Sequence, residues 1–305
     1  MRSGCRFRNA ASLFLFALAA ITPSTLYADK LQQQLKDQYE GKLLLLRNFY
    51  DGSSLHYDAD GHIQGVWMSG DWTVDGIVRI EDIRLASHLL TIQGRRLHMG
   101  WVTGGFSDVP DAKPANSQQV ETRELRIEAD LRDGPVADSA NAMLAMIFLT
   151  PEDRFADLVP DYWKPCVLVA LTGGGVKLEV NCRFSPEFTA IPGVAARPGE
   201  AAENDNPQGV FRQIGHGVTP PKVLLQGEPQ FSDEARRAKY EGTDVVSLVV
   251  DQTGQAKDIR IVSPLGMGLD RKAVESISKW QFDPGEKDGK PVAVQIEVEV
   301  DFHLN

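Results

Sequence analysis

The sequence is poor in positive charge. Its 32 Lys and Arg residues are outnumbered by 42 Asp and Glu residues, so the 305 residues carry a formal net charge of -10. Proteins that bind nucleic acids need basic surface to neutralise phosphates, and proteins that bind anionic membranes need it for the lipid headgroups. We therefore expect neither a nucleic-acid partner nor binding to anionic membrane surfaces.

The common motifs of catalysis and metal binding are missing as well. The sequence has no Gly-x-Ser-x-Gly elbow, and the glycines at positions 173–175 are not followed by the lysine of a phosphate-binding loop. Its six histidines include no pair at the i, i+4 spacing of a helical zinc site. We expect no enzymatic activity, no cofactor, no metal and no direct small-molecule substrate. A catalytic triad assembled from distant residues stays open as an alternative.

One short segment resembles the start of a calcium-binding loop. Asp58-Ala59-Asp60-Gly61 has the acidic spacing, but its twelfth position, which should be Glu, is Ser69. A hairpin turn is the favoured interpretation. His56 and His62 flank this turn, and a metal site between them is the less favoured alternative.

No apolar run near the N-terminus is long enough to span a membrane. The run at Ser12–Ile21 is about half of the ~20 residues that a membrane-spanning helix needs. Arginines precede it at positions 2, 6 and 8, and small residues lead to Ala28, which is the pattern of a secretory signal peptide. We expect residues 1–28 to direct export and to be removed. The alternative is an uncleaved inner-membrane anchor.

Cysteine is scarce, with three in the chain, and Cys5 would leave with the signal peptide. Cys166 and Cys182 flank a glycine-rich segment that has apolar residues on both sides. A hairpin centred on Gly174 would place them directly opposite each other, and an exported protein meets oxidising surroundings. We predict a cross-strand disulfide between Cys166 and Cys182. The alternative is two buried thiols in a hairpin whose register is shifted by one residue.

Residues 29–188 are predicted to form a β-rich α+β domain. Short apolar segments between Leu43 and Val102, Trp72–Val74 among them, alternate with Asp-Gly and other glycine turns, which is typical of an antiparallel meander. Helices are predicted at Asp29–Glu40, Ser139–Leu149 and Pro151–Leu158. Four tryptophans could line a sugar-stacking groove, although a place in the core is favoured: Trp67, Trp72, Trp101 and Trp163. Residues 189–218, rich in Pro, Gly and Ala, are predicted to be a linker.

Residues 219–305 have the clearest pattern. Two apolar runs, Val245–Val250 and Ile259–Val262, are joined by a turn-like segment and predict a hairpin. Apolar residues at helical spacing follow between Gly268 and Pro284. From Val292 to Phe302 apolar and polar residues alternate, which predicts one long strand with a dry and a wet face. The order is therefore β-β-α-β.

This order constrains the sheet. A hairpin makes the first two strands antiparallel, and a helical return places the last strand beside the first rather than beside the second. The first strand is apolar on both faces, as a central strand should be. The last strand is then predicted to lie at an edge, where unpaired backbone groups either are protected or bind another strand.

Several motifs between positions 220 and 305, taken together, resemble the TonB C-terminal domain family. They are Pro229–Ala238 leading to Tyr240-Glu241-Gly242, the turn Asp251-x-x-Gly254, Ser263-Pro264, Gly268-Leu269-Asp270, Trp280–Pro284 and Asp288-Gly289-Lys290. Residues 29–188 resemble the N-terminal part of exported TonB-domain proteins of acidobacterial type, in Tyr39–Leu43 and Gly70–Thr73.

The resemblance implies a three-stranded antiparallel sheet with helices on one face, in a periplasmic protein of Gram-negative cells. The best-studied members link a proton-driven inner-membrane complex to outer-membrane transporters, and their last strand adds to an extended peptide of the transporter. We therefore expect a partner peptide from such a transporter or another envelope protein, in energy-coupled transport. The peptide-binding residues implied are Gln230, Phe231, Val292, Val294, Gln295, Ile296, Glu297, Val298, Glu299 and Val300.

The sequence departs from the family in three ways. Phe231-Ser232 stands where members have Tyr-Pro, and the histidine-containing anchor helix and the proline-rich stalk have no counterpart. These departures leave coupling to the proton-motive force open. Two other functions also stay open: a structural or assembly protein that dimerises through its last strand, and a glycan-binding or enzymatic role for residues 29–188.

Overall fold

The computed structural model describes residues 23–102, 105–112, 123–164, 166–172, 175–180, 209–211 and 217–304. The described residues form an α+β fold, as predicted. We call residues 23–180 the N-terminal half and residues 209–304 the C-terminal half. Up to residue 22 the predicted signal peptide lies outside the described residues, as do Cys182 and most of the predicted linker.

The N-terminal half is built around one mixed sheet. Its elements, in chain order, are α1 (Pro23–Tyr39), β1 (Leu43–Leu45), β2 (Ser54–Tyr57), β3 (Ile63–Gln64), a π-helical turn (Trp72–Gly76), β4 (Ile77–Ala86), β5 (Leu89–Arg96), β6 (Met99–Val102), β7 (Gly105–Asp108), β8 (Glu124–Asp130), α2 (Val136–Ile147), a 3₁₀ turn (Phe155–Asp157), β9 (Val167–Thr172) and β10 (Gly175–Val180). The sheet has the order β1-β4-β5-β8-β2-β3, and β2 runs parallel to β8. The predicted antiparallel meander is therefore wrong for this pair.

The segment Trp72–Val74 was expected to be a strand and forms a π-helical turn instead. The Asp71 carboxylate accepts hydrogen bonds from both the backbone N–H and the hydroxyl of Thr73, at 2.9 and 2.6 Å. A short polar side chain that binds its own backbone in this way favours a turn over a strand. The turn leads directly into β4.

The hairpin of β9 and β10 differs by one residue from its predicted register. Gly175 pairs with Thr172 and Val180 with Val167, so Cys166 does not align with residue 182. Cys166 is buried and forms no disulfide within the described residues. Because Cys182 lies outside the described residues, the disulfide stays a prediction, but without the register that motivated it.

The C-terminal half has the predicted β-β-α-β order with small additions. Its elements are β11 (Val210–Phe211), β12 (Lys222–Leu225), α3 (Asp233–Ala238), β13 (Gly242–Val250), β14 (Ala256–Ser263), α4 (Leu269–Ile277), β15 (Gln281–Asp283), β16 (Gly285–Lys287) and β17 (Lys290–Phe302). The main sheet has the order β11-β17-β13-β14, so the first strand of the predicted hairpin lies in the centre. Apolar residues on both of its faces explain this position.

The two halves share one hydrophobic core. Trp72 and Trp163 of the N-terminal half and Leu269 and Phe302 of the C-terminal half belong to a single buried cluster. A second cluster lies within the N-terminal half, where α1 and α2 pack against its sheet. The sequence pattern did not predict that the two halves would be packed together.

Backbone hydrogen bonds also join the halves. The N–H of Trp101 donates to the carbonyl of Leu265, and the N–H of Met267 donates to the carbonyl of Met99, each at 2.7 Å. Gly266 lies between them with a φ of +81°, and a Cβ added there would be 2.2 Å from the Met99 oxygen. Only glycine permits this close approach. Among the described residues, no helix has both the length and the apolar character needed to cross a membrane.

Candidate functional site

The strand β17 is the longest in the C-terminal half and carries most of the predicted peptide-binding residues. Its inner side pairs with β13 without interruption, from Gly242 opposite Phe302 to Val250 opposite Val294. Its outer side faces away from β13. A regular, extended strand of this kind presents its outer backbone groups in an even row.

Part of this outer side is covered by the chain itself. β11 runs parallel to β17, with Val210 opposite Ala293 and Phe211 opposite Val294. Because Val294 also pairs with Val250 of β13, β11 must lie on the opposite side of β17 from β13. The Phe211 ring lies 4.6 Å from the Nζ atom of Lys287. The last strand is therefore an edge strand over only part of its length, since the predicted linker contributes β11.

From Gln295 to Phe302, no strand of the described residues pairs with the outer side of β17. We call this stretch the open edge. It contains the predicted residues Gln295 to Val300, whereas Val292 pairs with Gly285 and Val294 pairs with Phe211. The structure thus divides the predicted site into a covered end and an open end.

Side chains of the open edge alternate between two environments. Ile296 and Val298 are half-buried and pack against the shared core, whereas Glu297 and Glu299 are exposed. Neither glutamate forms an ion pair within the described part of the chain. Gln295 donates from Nε2 to the Ser247 hydroxyl at 2.9 Å, which ties it to β13.

Gln230 and Phe231 precede α3 near the end of β17. The Phe231 ring packs edge-on against Phe302, with centroids 5.5 Å apart, while Gln230 is exposed. Ser232 caps α3 by accepting from the Ala235 N–H at 3.1 Å, and its hydroxyl donates to the Met267 carbonyl. Phe231 and Ser232 therefore have a structural role here.

The opposite edge of the sheet is irregular and partly blocked. The pairing of β14 with β13 shifts register twice, and Asp258 within it has a φ of +45°. The Ile261 N–H donates to the Tyr162 carbonyl at 3.0 Å, and the Cys166 thiol donates to the Ile261 carbonyl at 2.8 Å. A strand added here would collide with the N-terminal half. No pattern in the sequence indicated this role for Tyr162 and Cys166.

A cleft of about 590 Å³ lies beside β14, lined by Asp161, Tyr162, Lys164 and residues 256–260. No tryptophan of the described residues lines it. Trp72 and Trp163 are instead fully buried, with ring centroids 5.1 Å apart, and Trp101 packs on Phe106. The buried pair cannot stack on a sugar.

Two carboxyl groups are buried near the junction of the halves. Asp270 accepts from the N–H groups of Leu265 and Gly266 at 2.8 and 2.6 Å. Burial and the charge of Asp71 raise the pKa of Asp270 to about 7. Burial, and then the charge of Asp270, raises the pKa of Asp244 well above its usual value. Neither oxygen of Asp244 has a hydrogen-bond partner among the described residues.

The calcium-like segment is the predicted hairpin turn. The Asp58 carboxylate accepts from the N–H groups of Asp60 and His62 at 3.0 and 2.9 Å, which closes the turn between β2 and β3. The ligand atoms of Asp58, Asp60 and His62 lie within 4.8 Å of one another at the surface. His56 lies 3.3 Å from Asp130 and does not belong to this group.

Part of the chain is similar to known proteins. Residues 227–304 match the family model described as Gram-negative bacterial TonB protein C-terminal. The chain is 34% identical over 86 residues to Protein TonB of Vibrio cholerae, and this alignment covers 28% of this chain and 35% of that protein. It is 30% identical over 78 residues to Protein tonB2 of Pseudomonas aeruginosa, covering 25% and 29%. The chain thus spans about a third of the length of the curated relatives that it matches.

A solved structure is also similar to part of the chain. The solution NMR structure of the Pseudomonas aeruginosa TonB CTD aligns at 21% identity and a TM-score of 0.23, covering 30% of this chain and 92% of that chain. The family match confirms the resemblance that the motifs of the C-terminal half indicated.

Proposed function

We propose, from the premise that residues 227–304 belong to the TonB C-terminal domain family, that this protein acts in the periplasm by binding an extended peptide. The peptide would come from an outer-membrane transporter or another envelope protein. It would add as a strand to the open edge of β17, with Gln230 and Phe231 at the end of the site. Energy-coupled transport is the context that the family suggests.

The open edge is the single observation that supports this proposal. A regular strand that ends a sheet exposes unpaired N–H and C=O groups, and such an edge is a template for another strand. β14 is irregular and is blocked at Ile261 by the N-terminal half. Strand addition at β17 is therefore the only extension of the sheet that meets no obstacle among the described residues.

The charges of the open edge disfavour the alternative of dimerisation through the last strand. Two copies paired along this edge with their cores on the same side would bring the glutamates at 297 and 299 of one copy close to those of the other. Like charges directly opposite each other across two strands are destabilising. A separate peptide has no such constraint.

The N-terminal half would hold the C-terminal sheet in place. Its core is continuous with that of the C-terminal half, and its backbone binds the loop at Leu265–Met267. A load applied to β17 would pass through β13 into this shared core. The N-terminal half would thus act as a rigid support for peptide binding.

Titration of the isotope-labelled full chain with N-terminal peptides of an outer-membrane transporter tests the proposal. We expect amide shifts along Gln295–Phe302 and none along Ala256–Ser263. Peptides with N-methyl groups at every second position provide the control, because alternate amides of an added strand face β17. Methyl groups on the amides that face β17 should abolish binding, whereas methyl groups on the intervening amides should leave it intact. No shift at about 1 mM peptide would contradict the proposal.

A further inference from the structure

The open edge of β17 has two chemically different faces. Ile296 and Val298 are half-buried against the core, whereas Glu297 and Glu299 are exposed on the other face with no ion-pair partner in the described part of the chain. Successive residues of a strand point to opposite faces. A strand added here therefore meets apolar side chains on one face and acidic side chains on the other.

We infer that the partner of this edge is an extended segment in which basic residues alternate with apolar ones. The inference rests on the proposed strand addition and specifies its partner. Lys or Arg residues opposite Glu297 and Glu299 would have Cβ atoms about 5 Å from theirs, close enough to pair. The apolar residues between them would cover Ile296 and Val298 and remove apolar surface from water.

Electrostatics favours a basic segment over a neutral or acidic one. Glu297 and Glu299 lie about 7 Å apart on the same face and repel each other without compensation. The whole chain adds a net charge of -10, which attracts basic partners over a longer range. Because the glutamates are exposed, this preference should weaken as salt screens the charges.

The covered part of the same outer side provides an independent observation. There, β11 places the apolar residues Val210 and Phe211 beside the apolar Ala293 and Val294, and Lys287 lies over the Phe211 ring. The edge already holds an extended segment of this chain whose side chains complement its own. By the same rule, an extended segment that complements the open edge is basic on one face and apolar on the other.

Three peptides of equal length test the inference on the full chain. In the first peptide lysine alternates with valine, in the second serine alternates with valine, and in the third glutamate alternates with valine. All three end in proline to limit self-association. We expect the lysine peptide to bind the open edge about fivefold more tightly than the serine peptide, and the glutamate peptide to bind most weakly. The lysine advantage should shrink as salt is raised.

Charge reversal sharpens the test. The double variant Glu297→Lys/Glu299→Lys should invert the order of the three peptides. Asp133→Lys/Glu152→Lys changes two exposed acids of the N-terminal half, so it alters the net charge equally and should leave the order unchanged. The order is read from peptide affinities, with amide shifts to locate binding.

The outcomes separate the inference from the proposed function. Equal binding of all three peptides at the open edge, unaffected by charge reversal, would overturn the inference and leave strand addition intact. If no peptide shifts an amide of the open edge, strand addition itself fails. Self-association of the chain that excludes every peptide would show a second copy as the occupant and would also overturn the inference.

Discussion

The two edges of the C-terminal sheet are built in opposite ways. β14 pairs with its neighbour through two register shifts, and the N-terminal half binds both backbone groups of Ile261. β17 pairs with β13 in one unbroken register, and within the described part of the chain β11 covers its outer side at Ala293 and Val294. One edge is irregular and blocked, and the other is regular and mostly open.

This difference shows how a second half of a chain can determine which edge of a sheet stays accessible. Natural sheets protect their edges with bulges, charges or covering segments. Here, among the described residues, segments around Tyr162 and Cys166, far away in the sequence, bind the backbone of β14 at Ile261. The same packing leaves β17 accessible from Gln295 onwards. Changes that loosen the packing of the halves should therefore alter β14 first.

The largest effect is expected where the halves approach most closely. Gly266 has a φ of +81°, and an added Cβ would lie 2.2 Å from the Met99 oxygen. Gly266→Ala combines left-handed strain with a clash against backbone, so we expect the free energy of unfolding to fall by about 3 kcal/mol or more. The amide of Ile261 should also exchange faster, because the N-terminal half no longer holds it. Urea unfolding and hydrogen exchange measure the two effects.

Gly289→Ala separates strain from the clash. Gly289 also has a positive φ, +72°, but nothing lies within 4 Å of an added Cβ. This variant should lose about 1–2 kcal/mol through the left-handed backbone alone. Exchange at Ile261 should not change. Equal losses in the two variants would mean that the close approach of the halves contributes nothing.

A smaller effect is expected on β13, the strand between the two edges. Asp244 is buried, and neither of its oxygens has a hydrogen-bond partner among the described residues. A buried polar group without a partner costs about 1–3 kcal/mol. Asp244→Val should therefore raise the free energy of unfolding by about this amount at pH 8, as measured by urea unfolding.

The size of this gain should depend on pH. A carboxyl whose pKa is raised in the folded state binds its proton more tightly there, so it lowers stability as the pH rises from about 4, the unfolded pKa, towards the folded pKa. The advantage of Asp244→Val should therefore be smaller at pH 5 than at pH 8. A gain that is equal at both pH values would rule out charge as its cause.

Local patterns in the sequence predicted the two strands that build the candidate site, β17 and its neighbour β13. The alternation from Val292 to Phe302 and the apolar faces of Val245–Val250 depend only on which face each residue occupies, and the structure places both strands as expected. The pattern also located α4 between Gly268 and Pro284. The residues of one strand or helix indicate its position in the fold because the type of each residue depends on whether that residue is buried.

Contacts between distant segments were not predictable in this way. β11 is two residues long and lies in a segment whose composition indicates a linker, and its role depends on Lys287 and Val294 far along the chain. The shared core was missed because an apolar residue signals burial but not its partner. The parallel pair of β2 and β8 was missed for the same reason, since a strand of four residues has no pattern that specifies its neighbour.

The smallest expected effect concerns β11, which covers part of the outer side of β17. β11 is held partly by the contact of the Phe211 ring with Lys287, at 4.6 Å, and a cation–π contact at the surface contributes about 0.5–1 kcal/mol. In Phe211→Ala, a peptide long enough to reach Ala293 should bind about two- to fivefold more tightly, because fewer molecules have that part of the strand occupied. A peptide confined to Gln295–Phe302 should bind as before. If the long peptide bound both proteins equally in amide-shift titrations, β11 would not compete with it.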